Sequence, residues 1–151
     1  MRESLLSPVF LMQTDTTVGL LSKNDKRLRE IKNREDKKPF LKNVSSFKEL
    51  KSFTRAPQKF KTFIRRAKRA TFVYPNKEAI RVIGEEEGEI RGFLKRYGWH
   101  FSTSANRSGE NFDFNYIKDK VDIIIYTPNG FKESTPSSLY RVGSRKIRRL
   151  R

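Results

Sequence analysis

The apolar residues of this chain come in short runs that alternate between two spacings, and that alternation constrains the fold more than any other feature. Pro8 to Met12, Ala70 to Tyr74, Ala79 to Ile83 and Val121 to Tyr126 are nearly continuous apolar runs rich in β-branched or aromatic residues, the pattern of buried strands. Between them Leu28 and Ile31, then Phe60, Phe63, Ile64 and Ala67, then Ile90, Phe93, Leu94 and Tyr97 recur at helical spacing. Local punctuation agrees. Asn24 or Asp25 is placed to cap the first helix, Ser45 or Ser46 a short helix carrying Phe47 and Leu50, and Gly98 stops the helix ending at Tyr97. Further strands are expected at Pro39 to Val44, Trp99 to Thr103, Ser137 to Arg141 and Lys146 to Leu150, with a helix near Phe114 to Lys120. With no repeat and no long linker, 151 residues predict a single α/β domain, three layers around one twisted mixed sheet flanked by helices.

Composition removes whole classes of chemistry. There are no cysteines, so disulfides, thiolate nucleophiles and zinc–thiolate sites are all excluded. One histidine excludes a multi-histidine metal centre. The N-terminal apolar run is far too short for a membrane span or a signal segment, and a cytoplasmic protein without a membrane partner is expected. Hydrophobic residues are only 35% of the chain, so the 12 Phe, 5 Tyr and 1 Trp must supply much of the core.

The net charge is +17 and unevenly spread. From Lys23 to Arg69 there are 18 Lys/Arg against 5 Asp/Glu, and from Arg141 to Arg151 six basic residues and no acid. Two basic blocks on a near-neutral remainder point to an anionic partner: nucleotide phosphates, RNA or both.

Four segments place hydroxyl or cationic residues where strands or helices end, the usual position of ligand sites in α/β folds. They are Thr14-Asp15-Thr16, Lys32-Asn33-Arg34, Ser102-Thr103-Ser104-Ala105-Asn106, and Ser137-Ser138 with the terminal Arg151. Each alone is an ordinary turn. In this order they resemble the YrdC-like threonylcarbamoyl-AMP synthase family. Gln13-Thr14-Asp15-Thr16-Thr17-Val18-Gly19-Leu20 stands where the family has P-T-D-T-V-Y-G-L. Lys32-Asn33-Arg34-Glu35, followed by Lys38-Pro39-Phe40, stands for K-G-R-P and K-P-L, and Ile80-Arg81-Val82-Ile83 for V-R-V-P. The S-T-S-A-N-x-S-G signature is intact from Ser102 to Gly109, and Pro136-Ser137-Ser138-Leu139 with Leu150-Arg151 matches the last motif. The W-P-G-P-x-T segment is reduced to its threonine, Thr71.

The resemblance implies a YrdC/RibB-like fold and an ATP-dependent condensation. L-threonine and bicarbonate would form a carbamate that attacks the α-phosphate of ATP, giving threonylcarbamoyl-AMP for the t6A modification of tRNA at adenosine 37. It also implies roles. Lys32 and Arg34 would be catalytic and, with Ser104, Asn106 and Arg151, bind ATP, with Mg²⁺ sharing the phosphate charge. Thr16, Arg81, Ser102 and Ser137 would line the threonine subsite. No protein metal ligand is expected, and t6A-transfer proteins would accept the product.

Other readings stand beside this one. Lys32 and Arg34 are also ordinary solvated helix charges, Asp15 is expected to cap its own turn or pair with a lysine rather than bind a metal, and Arg81 also suits an exposed edge strand. His100 reads as a packing or hydrogen-bonded strand residue rather than a catalyst, and Trp99 as core. The alternative functions are a non-catalytic RNA-binding module, for tRNA or other RNA, and an acyl- or carbamoyl-phosphate-handling relative. Phe47, Phe53, Phe60 and Phe63, at helical spacing, are expected in the core rather than as stacking platforms.

Overall fold

A computed structural model describes residues 7–34 and 39–151. Glu35 and Lys38 of the second motif lie outside the described residues. The architecture is mixed α/β, with nine strands among the described residues and helices packed against them. Cα proximity divides the chain into two compact units, the first from Met1–Phe40 and His100–Thr135, the second from Leu41–Trp99 and Pro136–Arg151.

The first unit carries strands β1 (Phe10–Gln13), β2 (Val18–Ser22), β6 (His100–Ser104) and β7 (Ile123–Ile124), ordered β7-β1-β2-β6. β2 is antiparallel to both β1 and β6, and β7 runs parallel to β1. Helix α1 (Asp25–Lys32) packs on β2. Its cap is Asn24, whose side chain accepts from Lys26 N and Arg27 N. Leu28 is fully buried from α1 among Val9, Leu11, Val18, Leu20 and Ile117. Asp122 accepts from Val9 N at 2.8 Å and pairs with Arg27, which ties β1 to α1.

The second unit orders its strands β3-β5-β4-β8-β9, where β3 is Leu41–Val44, β4 Ala70–Val73, β5 Ala79–Val82, β8 Ser138–Val142 and β9 Ile147–Arg149. β4 and β5 pair antiparallel across the turn at Pro75-Asn76-Lys77, and β3–β5 and β4–β8 are parallel. Ser46 caps α2 (Phe47–Leu50) by accepting from Glu49 N. A 3-10 turn at Gln58–Phe60 leads into α3 (Lys61–Arg66), and α4 (Gly88–Tyr97) ends at Gly98, whose φ of 86° only glycine takes without strain. This core is more aromatic, with Phe72 and Tyr74 buried beside Val44, Leu50, Ile64 and Ile80.

Three expectations change. Of Val121 to Tyr126 only Ile123–Ile124 forms a ladder, because β7 is an edge with β1 as its one strand neighbour. The helix from Phe114 is the single turn α5 (Phe114–Ile117); Lys118, Asp119 and Lys120 are all exposed, so no apolar face supports a second turn. Phe47, Phe53 and Phe60 pack on the core, but Phe63 is 48% exposed.

Candidate functional site

Two polar clusters form, one in each unit. In the first unit, α1 ends at Asn33, whose left-handed backbone (φ 50°, ψ 47°) lets its N–H reach Glu30 O and sends Arg34 N to Arg29 O. Lys32, on the last turn, crosses to the loop after β6. Its ammonium donates to the carbonyl of Ser104 at 2.9 Å and to that of Asn106, with Asn106 Oδ1 at 3.4 Å. That loop is fixed from below, since Ala105 N donates to Val18 O at 3.0 Å. The Asn106 amide donates to Arg107 O at 3.0 Å and Glu110 O at 2.7 Å, holding the turn in shape. Burial, with the Arg34 charge adding to it, lowers Lys32 from its ordinary value to about 8. Arg34 is lowered too, by burial and then by Arg29, and its guanidinium lies 4.6 Å from the centre of the buried Phe40 ring.

Beside this loop the turn between β1 and β2 is built by Thr14. Its hydroxyl accepts from Thr16 N and Thr17 N, both at 3.2 Å. Thr14, Asp15 and Thr16 are buried, and so is Ser102 on β6. Gly19 is required here: a Cβ on it would lie 2.9 Å from Thr14 Cγ2 and 3.3 Å from Thr103 O. His100, 4% exposed, meets the Phe10 ring edge-on at 5.8 Å, the packing role expected of it.

In the second unit, Ser137 is buried just before β8. Its hydroxyl shares a 2.7 Å hydrogen bond with that of Thr71 on β4. Arg151 closes over the pair, donating from Nε to Ser137 O at 2.9 Å and from Nη2 to Ser137 Oγ at 3.4 Å. Arg81 is not on an exposed edge. It is 3% exposed on β5, between β3 and β4. Its register partner is Asn43 on β3, which puts both side chains on one face of adjacent strands.

Thus Lys32, Ser104 and Asn106 come together, as do Ser137 and Arg151, while Thr16 and Ser102 sit on neighbouring elements of the first unit. Sequence patterns had not singled out two further residues. Thr71 was marked only as the survivor of its motif. Asn43 carried no signal at all, yet it is completely buried and neither polar atom of its amide has a hydrogen-bond partner among the described residues. A buried unpaired amide is costly, so its retention marks a place a ligand can complete. Among the described residues, no three His, Asp or Glu side chains converge to hold a metal, and no helix is long and apolar enough to cross a membrane.

The fold has solved relatives. P. abyssi Sua5, solved in complex with L-threonine, superposes with a TM-score of 0.78 at 20% identity over 95% of this chain. E. coli YciO gives 0.79 at 17% identity over 99% of this chain and 85% of its own. MTH1692 from Methanobacterium thermoautotrophicum gives 0.69 at 24% identity, covering 95% and 79% respectively. The chain spans about half the length of the Sua5 structures, 50% and 52%. At these identities the likeness shows the fold. A search of curated proteins finds no match. The sequence itself goes further: the family model Sua5/YciO/YrdC, described as telomere recombination, matches residues 8–151, and the chain belongs to that family.

Proposed function

We propose that this protein makes threonylcarbamoyl-AMP from L-threonine, bicarbonate and ATP, as a step in t6A modification of tRNA. The observation that carries the reading is the union of Lys32 with the Ser104–Asn106 loop, two motifs 72 residues apart in sequence. An ammonium has three N–H donors. Two are spent on the carbonyls of Ser104 and Asn106, and the third, which makes the long 3.4 Å contact to Asn106 Oδ1, is the one that would turn to a phosphate oxygen. Arg34 would add its charge to the same triphosphate, with Ser104, Asn106 and Arg151 completing the ATP contacts. Mg²⁺ enters as part of the MgATP substrate.

Bicarbonate and the threonine amine combine with loss of water to give the N-carboxylate. One carbamate oxygen then attacks the α-phosphorus, a P–O bond forms, and the bond to pyrophosphate breaks. Such transfers depend on positioning and on neutralising the leaving charge more than on a general base. Arg81 would bind the threonine carboxylate through its planar fork, with Thr16, Ser102 and Ser137 around the rest of the amino acid. Asn43, in register with Arg81, would gain its missing partners from the same substrate. The product would pass to a t6A-transfer protein.

The test is pyrophosphate release from MgATP and bicarbonate with and without L-threonine, the adenylate being identified by mass. Threonine-dependent release is expected. Release that ignores threonine would shift the assignment to another carbamoyl- or acyl-phosphate substrate, and no release from folded protein would remove the synthase reading.

A further inference from the structure

Strand β7 is the outermost strand of its unit, with β1 on one side and no strand of the described residues on the other. Its backbone bonds alternate. Ile123 N donates to Val9 O at 3.2 Å and Ile125 N to Leu11 O at 2.9 Å, so the N–H and C=O of Ile124 between them point away from β1. Such an outer row is a template for another strand unless charge or proline blunts it. Neither does so here. Val121-Asp122-Ile123-Ile124-Ile125-Tyr126 holds no proline and no lysine. Its one charge, Asp122, is spent within the chain on Val9 N and Arg27.

Apolar surface gathers on the same segment. Ile123 is 42% and Tyr126 70% exposed, two of the five large apolar side chains that stand out among the described residues. The Tyr126 ring is held in place, 5.9 Å from Phe131 and 6.4 Å from Phe114, which themselves stack at 5.9 Å. Charge favours this unit as a meeting place for like chains. Leu41–Trp99 with Pro136–Arg151 carries 21 Lys/Arg against 6 Asp/Glu, or +15, while the rest of the chain, which includes β7, has 13 against 11, or +2.

We propose that β7 pairs with β7 of a second copy of this chain, the two strands running antiparallel about a two-fold axis. A register centred on Ile124 lets the two Ile124 residues exchange both backbone hydrogen bonds, and it sets the exposed Ile123 against Ile125 of the second copy. A second copy suits the segment because apolar residues meet apolar residues there. It also suits the charge, since two chains of +17 repel least where each contributes +2. One strand pair with an aromatic flank is a small interface, so a dissociation constant of roughly 10–100 µM is expected.

The test is sedimentation velocity on the full chain from about 1 to about 300 µM, without nucleotide or amino acid. Dimer is expected to form with concentration and to tighten severalfold as salt rises from about 0.05 to about 0.5 M, because salt screens the repulsion between positive copies. Ile124→Pro removes the outward N–H and leaves the bonds to β1, and Ile123→Lys puts a charge on the edge. Each is expected to weaken association at least tenfold. Ile123 is exposed, so its variant decides the matter even if Ile124→Pro fails to fold. The chain has no cysteine, which makes the register readable. Facing Ile124 residues would have Cα atoms about 5.5 Å apart, within disulfide reach. Ile124→Cys is therefore expected to oxidise to a covalent dimer at least tenfold faster than Tyr97→Cys, exposed in the other unit. The proposal is overturned if the folded parent stays monomeric up to about 300 µM at the higher salt. It is equally overturned if folded Ile123→Lys associates like the parent, or if Tyr97→Cys crosslinks as fast as Ile124→Cys.

Discussion

The two units spend their cations in opposite ways. In the first, Lys32 is half-buried and its ammonium is committed to backbone carbonyls of a loop that the chain folds around it. In the second, many cations stand in water, Arg65 and Arg66 of α3 and Arg148 and Arg149 of β9 among them, and the charge reaches +15 against +2. One arrangement fixes a charge in space; the other maximises a field. A fixed charge suits a step in which a phosphoryl group must meet one defined donor, and a field suits the capture of a polyanion whose phosphates are many and equivalent. The cores differ too. The core of the first unit is built mainly of Val, Leu and Ile around Phe40, whereas that of the second buries Phe72 and Tyr74.

The contrast breaks first at Lys32. Lys32→Ala is expected to lower kcat/KM by about 10²–10³, the cost of removing one positioned donor, while the melting temperature moves by only a few degrees. Activity within twofold of the parent would show that the fixed charge serves the loop and not the nucleotide. The same residue gives a pH signature. Its value in the folded protein, about 8, lies below its ordinary 10.5. At pH 7 the folded and unfolded chains both hold the proton. Between about 8 and 10.5 the unfolded chain holds more, so the Lys32 contribution to stability rises with pH there. The rate moves the other way: kcat/KM is expected to fall above pH 8, and Lys32→Arg is expected to lose that alkaline limb. An alkaline limb near 8 that survives in Lys32→Arg would assign it to another group.

Gly19→Ala comes next in size. Its Cβ would press on Thr14 and on the Thr103 carbonyl, and a loss of about 1–3 kcal/mol is expected by denaturant unfolding. A neutral result would mean that the Thr14 turn yields more readily than its hydrogen bonds suggest. Asn43→Leu sharpens the comparison from the other unit. Replacing a buried amide that lacks partners is expected to stabilise the protein by about 1 kcal/mol while reducing threonine-dependent turnover. Destabilisation, or full activity in that variant, would show that Asn43 is not completed by substrate.

The sequence disclosed what is decided locally. Asn24 and Ser46 cap the helices that follow because their side chains reach backbone N–H groups two or three residues away, and Gly98 ends α4 for the same short-range reason. The family motifs disclosed which residues to watch, but not what each one touches. That Arg81 is buried follows from β3 and β4 arriving on either side of β5, a fact of topology that no residue near position 81 encodes. Thr71 gains meaning only when Ser137, 66 positions away, shares a hydrogen bond with it. Phe63 misled in the opposite direction. Its spacing matches its neighbours, but the helix is only six residues long and turns Ile64, not Phe63, fully inward.

Strand β9 ends the second unit's strand order, so one row of its backbone groups has no strand beside it among the described residues. An open edge invites pairing with another chain, and Arg148 and Arg149 guard it by mutual repulsion between copies. That guard depends on the cations remaining uncompensated. A short polyanion that neutralises them without covering the strand would let copies of the chain associate edge to edge, and low concentrations of such a ligand would cloud a solution that excess ligand clears.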